Sequence, residues 1–151
     1  MSRVEWTVCE RTSRWASAMR IALAADGTPH RLRETRSLSE LEAELVDRPT
    51  SLTAIEVHRG NLADVLAWLP NARQRFTRPC FVALLDRTLA DDMGSVGDVL
   101  IEAGAQSIAT SPRRLDEILS LARRHAANPR ITDENVPLTA RVWATLPWQA
   151  G

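Results

Sequence analysis

The sequence predicts an α/β domain of three layers, a doubly wound parallel sheet between two layers of helices. Two observations carry this. Short strand-like runs alternate five times with segments whose apolar residues recur at i, i+3 and i+4. The two most apolar runs, 52–57 (LTAIEV) and 79–85 (PCFVALL), lack any in-and-out alternation, as strands covered on both faces do. A length of 151 residues, 44% hydrophobic and 25% charged, suits one globular domain with its own core.

Each element has a local reason. Residues 3–9 (RVEWTVC) are β-branched and aromatic and read as the first strand. A helix is expected over 13–25, where Trp15, Ala18, Met19, Ala22 and Leu23 share one face. Asp26-Gly27 closes it, because glycine takes the left-handed cap conformation without strain. Residues 30–35 (HRLRET) form a polar second strand suited to a sheet edge. Ser37 opens the capping box SLSE, and Leu38, Leu41 and Leu45 line the short helix behind it. After the third strand, 52–57, Asn61 is expected to cap a helix carrying Leu62, Val65, Leu66 and Leu69, with Pro70 near its end. The fourth strand, 79–85, leads through a polar loop, 86–94, to a helix with Val96, Val99, Leu100 and Ala103 on one face, stopping at Gly104. Residues 105–110 are the fifth strand. Ser111 is expected to cap the last helix with Pro112 at its first position, and Leu115, Ile118, Leu119 and Ala122 form its apolar face. Residues 128–151 break the pattern and read as an irregular C-terminal tail, so the chain divides into 1–127 and 128–151.

Composition removes several function classes. The 19 basic and 19 acidic residues balance, which disfavours generic binding to nucleic acid or anionic membranes. All 19 basic residues are arginine. Lacking lysine, the chain cannot supply the ammonium of a P-loop or the amine of a Schiff base. No apolar run approaches the roughly 20 residues that span a bilayer, and the start, MSRVEWTVCE, does not read as a secretion signal, so a cytoplasmic setting is expected. Two cysteines, Cys9 and Cys80, and three scattered histidines, His30, His58 and His125, lack ligand spacing, so no metal or cofactor is expected. Cys9 ends its strand and Cys80 begins its own, which places them at opposite edges and argues against a disulfide.

The stretch 104–119 (GAQSIATSPRRLDEIL) resembles the end of a two-component receiver domain, in which a Gly-Ala turn, an apolar strand, a Lys-Pro step and an acidic-apolar helix follow in that order. The resemblance extends over about residues 3–126. It implies the flavodoxin-like strand order 2-1-3-4-5, with function carried at the carboxyl ends of the strands. Receivers place there an acidic pair for Mg²⁺, an aspartate that accepts the phosphoryl group, a Ser or Thr, and the lysine. Carried over by position, the acidic pair falls on Cys9 and Glu10, or on Glu10 and Arg11. The phosphoacceptor position falls on Glu56, the hydroxyl position near Leu84 or Leu85, and the lysine position on Ser111. The aromatic switch position of the fifth strand falls on Ile108. The resemblance thus implies a receiver-like frame without phosphotransfer, a non-enzymatic module for signalling or scaffolding through protein–protein contacts.

Other readings of the same residues stand beside this one. Glu56 reads either as a fixed mimic of the phosphorylated aspartate or as a strand-end carboxylate meeting Arg11 or Arg59. Glu10 and Asp86 both reach the carboxyl edge, whereas Asp91 and Asp92 read as solvated loop residues. A small enzyme or ligand-binding protein would use a pocket around Cys9, Glu10, Glu56 and Ser111. Arg113, Arg114, Arg123 and Arg124 suit an acidic protein partner. The tail concentrates Trp143, Leu146 and Trp148, a compact apolar anchor for the chain's own domain, a second copy or a partner.

Overall fold

The computed structural model describes residues 3–91 and 93–127. Its elements are β1 (Val4–Cys9), α1 (Arg14–Ala25), β2 (His30–Thr35), α2 (Leu38–Asp47), β3 (Leu52–Val57), α3 (Leu62–Arg75), β4 (Cys80–Leu85), α4 (Arg87–Ala90), α5 (Met93–Ala103), β5 (Ser107–Ala109) and α6 (Asp116–Ala126). The five strands are parallel, in the order β2-β1-β3-β4-β5. This is the predicted doubly wound sheet.

Side chains alternate across the central strands and divide the core into two halves. Val4, Trp6 and Val8 of β1, with Ala54, Val82 and Leu84, meet Trp15, Met19 and Leu23 of α1 and Ile118, Leu119 and Ala122 of α6. On the other face, Ile55, Val57, Phe81, Ala83 and Leu85 meet Leu41 and Leu45 of α2, Val65 and Leu69 of α3, Leu89 of α4 and Leu100 of α5. All six residues of β3 and all six of β4 are buried, which explains why neither sequence alternates. The edge strand β2 alternates instead, with Arg31 and Arg33 exposed.

The helix ends follow the local rules in part. Gly27 has φ +68°, and Thr28 N–H donates to Leu23 O at 3.2 Å, closing α1 as a Schellman motif. Ser37 Oγ accepts from Glu40 N–H at 3.2 Å, but Glu40 reaches back to the amide of Arg36 (2.7 Å), one residue before the expected one. Asn61 does not cap α3. Its Oδ1 accepts from His58 N–H (2.8 Å) and its Nδ2 donates to Glu56 O (2.8 Å), so it ties the loop back onto β3.

Four further boundaries differ. Pro70 lies inside α3, which continues to Arg75. Pro70 is exposed, so water can serve the carbonyl its ring leaves unbonded. The polar loop 86–94 contains the short helix α4, whose cap Asp86 accepts from Arg87 N–H at 2.7 Å and whose Leu89 is buried. The last helix begins at Asp116 rather than at Pro112. Ser111 Oγ accepts from Arg113 N–H (3.2 Å) and Ser111 O from Arg114 N–H (3.1 Å), so Ser111–Arg114 is a turn that delivers Leu115 into the core. β5 spans three residues, because Ala105 is used to end α5: its amide donates to Leu100 O (2.9 Å) beside Gly104 at φ +135°. The tail 128–151, with Trp143, Leu146 and Trp148, lies outside the described residues.

Candidate functional site at the carboxyl edge of the sheet

Order 2-1-3 makes the chain reverse direction between β1 and β3, and the ends of those strands flank the crevice where open α/β sheets place their sites. Glu10 follows β1 directly. Its carboxylate turns under the first turn of α1, where Oε2 accepts from Trp15 N–H and Oε1 from Ala16 N–H, both at 2.9 Å. Only 2% of the residue is exposed. Helix amides left without intrahelical partners are thereby satisfied by a charged acceptor at the positive end of the dipole. Burial pushes the Glu10 pKa up, and the amides of Ala16 and Trp15 pull it back in part. Both oxygens are thus committed to the protein.

Glu56 lies in β3 opposite Leu84 and is 6% exposed. Its Oε1 accepts from Arg11, from Nε at 3.3 Å and from the backbone amide at 3.4 Å. The Arg11 guanidinium also lies 4.0 Å from Asp86, as does that of Arg14. Of the two expected partners of Glu56, the structure gives Arg11. Arg36 braces the same loop from the edge strand. It donates to Glu10 O (3.2 Å), Thr12 O (3.1 Å), Ser13 Oγ (3.2 Å) and Glu34 Oε1 (3.2 Å). Four carboxylates (Glu10, Glu34, Glu56 and Asp86) and three guanidiniums (Arg11, Arg14 and Arg36) therefore share this edge, engaged with one another and with backbone groups.

The remaining expected positions separate. Cys9 is buried and free, and burial raises its thiol pKa, so it has no activated character. Leu84 is fully buried in the core half under α1 and α6. Ile108 is partly buried against the opposite half. Arg113 and Arg114 are exposed on the turn after β5. Cys80 is free at the start of β4, across the sheet from Cys9. Among the described residues no group of three or more His, Cys, Asp or Glu side chains could hold a metal ion.

An open groove of about 640 Å³ runs from this edge between α2 and α3. Cys9, Glu10 and Glu56 reach it, and Ser111 does not, so the pocket expected around those four residues forms from three of them. Sequence reasoning missed its walls, Ser37 at the cap of α2, Ser39 on α2 and Asp64 and Trp68 on α3, and missed Arg36. No sequence pattern pointed to Arg36, whose contacts with the loop 10–13 lie 23 to 26 residues upstream.

The strand order, with helices on both faces, defines the fold: a doubly wound α/β domain of the flavodoxin-like type. No protein-family model matches the sequence, and no curated protein matches it. Solved structures do resemble it. A CheY-like protein (tadZ) from Pseudomonas aeruginosa superposes with a TM-score of 0.65 at 19% identity, over 83% of this chain and 94% of that one. A response regulator from Thermotoga maritima gives a TM-score of 0.60 at 16% identity, over 83% and 99%. At these identities the likeness is one of fold.

Proposed function

We propose that the chain is a receiver-like signalling module that acts through protein contacts and does not accept a phosphoryl group. One observation carries the reading: both oxygens of Glu10, the acid at the metal-binding position, are held by α1 amides. Three others agree with it. Arg11 rests on Glu56 at the phosphoacceptor position, apolar Leu84 is buried at the hydroxyl position, and Ser111 at the lysine position is spent on a turn. Pairing with Arg11 also favours a structural role for Glu56 over a phosphate mimic. The exposed Arg113 and Arg114 offer a cationic surface to an acidic protein partner. Among the described residues no helix is long and apolar enough to cross a membrane; the cytoplasmic setting is part of this proposal.

The test is incubation with a small phosphodonor and Mg²⁺, followed by intact-mass analysis and a Mg²⁺ titration read by tryptophan fluorescence. No mass gain and no Mg²⁺-dependent shift are expected. Stable incorporation at any Asp or Glu refutes the reading. A second reading, a small-molecule site in the α2–α3 groove, has the groove's volume in its favour. Against it, Glu10, Arg36 and Asn61 already bond to other parts of the protein.

A further inference from the structure

Helix α1 is unusual on its solvent side. Its inward stripe, Trp15, Ala16, Met19 and Leu23, is fully covered. A surface helix ordinarily carries charge on the opposite face. Here, from Ser17 to Ala25, Arg20 is the one charged residue, and it is committed to Glu34 of β2 at 2.9 Å. The rest of the outward face is Ser17, Ile21, Ala24 and Ala25, all exposed. Ile21 is 72% exposed, the most exposed large apolar side chain among the described residues.

The flank of α1 that faces away from Arg20 continues this apolar strip. Ala18 and Ala22 are partly buried there, against the same core half as Ala126 of α6. Arg20 points toward β2, so this flank borders α6. At the lower end, Arg123 of α6 pairs with Asp26, the C-cap of α1, at 3.5 Å. The described chain leaves the domain one residue past α6, at Ala127. The segment 128–151 therefore begins beside the end of the α1 strip. It contains VWATLPW (142–148), seven uncharged residues with two tryptophans and a leucine. Residues 128–142 can span about 50 Å when extended, and α1 is about 18 Å long. The linker can return the segment along the whole helix.

We propose that residues 142–148 of the same chain cover the apolar outer face of α1, with Trp143, Leu146 and Trp148 seated against Ile21 and the Ala18–Ala22–Ala25 strip. The pairing is apolar on both sides, and the chain beyond Ala127 sets out from the mouth of the strip. It stands independently of the phosphotransfer question, because none of its residues belongs to the carboxyl edge.

The test is a double-mutant cycle on the full chain, with Ile21→Asp on one axis and the pair Trp143→Ala/Trp148→Ala on the other. If the tail covers Ile21, Ile21→Asp lowers the folding constant about tenfold in the wild-type background and less than about twofold once the tryptophans are gone. Equal effects in both backgrounds overturn the proposal. A cysteine pair, Ile21→Cys with Ala144→Cys, gives a readout that does not depend on stability. Mild oxidation should produce a disulfide within one chain at low protein concentration. A bond only between chains, or none, overturns the proposal, the former assigning the face to self-association.

Discussion

Glu10→Ala is the sharpest perturbation of the carboxyl edge. The substitution removes the one side chain that accepts from both Trp15 N–H and Ala16 N–H. Trp15 and Ala16 are 0% exposed, so in the wild-type fold these amides have the Glu10 carboxylate as their partner rather than bulk water. Each donor left unpaired costs about 1–3 kcal/mol. Part of that is offset, because a buried charge and its desolvation cost disappear together. The net loss is then about 2–4 kcal/mol, which for a domain of this size lowers Tm by roughly 6–16 °C. Glu10→Gln keeps one acceptor and should fall about midway. Thermal and urea unfolding followed by circular dichroism measure both variants. An Ala variant within about 2 °C of wild type would mean that the carboxylate does not hold α1.

Three other outcomes follow from the structure. Glu34, lowered by its Ser13 hydrogen bond and by Arg20 and Arg36, and Glu10, raised by burial, should titrate with opposite signs around the usual glutamate value of 4.5. The stability gap between wild type and Glu34→Gln is present above 4.5 and shrinks as pH falls through the lowered value. The gap for Glu10→Gln is largest below 4.5 and shrinks as pH rises through the raised one. Urea titrations at stepped pH read both, and parallel trends contradict the assignment. Burial pushes the Cys80 thiol up to about 11. At pH 8 about 0.1% is then thiolate, so a disulfide reagent should modify neither Cys80 nor Cys9 before unfolding, and rapid labelling of the native protein would show the burial to be wrong. Gly27 and Gly104 both have positive φ, but a Cβ at Gly27 meets open space and one at Gly104 comes within 2.7 Å of Arg73 Cγ. Gly27→Ala should cost about 1 kcal/mol and Gly104→Ala about 2–4 kcal/mol by equilibrium unfolding, and the reverse order would contradict the backbone.

The architecture was legible because each of its signals is local. The near-continuous apolar runs at 52–57 and 79–85 could be placed in the middle of a sheet without knowing their neighbours, and the five strands came in the expected order, the fifth shorter than expected. The errors were local rules defeated by longer-range ones. Ser111-Pro112 has the composition of a helix start, yet Leu115 determines where α6 begins, because its burial fixes the turn before it. Pro70 looked like a terminus, but Val65, Leu69 and Ala72 are buried along α3, and their packing carries the helix past it. Asn61 has the right side chain for a cap, and its donors and acceptors serve Glu56 and His58 instead.

The candidate site was legible by residue and not by role, and the reason lies in the loop 10–13. Glu10 could turn outward to the crevice or inward to the α1 amides, and nothing in its own neighbours decides between these. The decision comes from Arg36, at the end of β2, which holds the carbonyls of Glu10 and Thr12 and the hydroxyl of Ser13 in one fork. That fork fixes the backbone so that Glu10 falls beneath Trp15 and Ala16. Arg11, next along the pinned loop, is then presented to Glu56 and Asp86. An arginine placed there is a permanent cation on a covalent tether, whereas a divalent ion would have to displace it and also extract Glu10 from two buried amides. On the proposed receiver-like reading, Ser111 at the lysine position therefore matters less than this loop. The pinned loop brings its own positive charge to the carboxylates of Glu56 and Asp86.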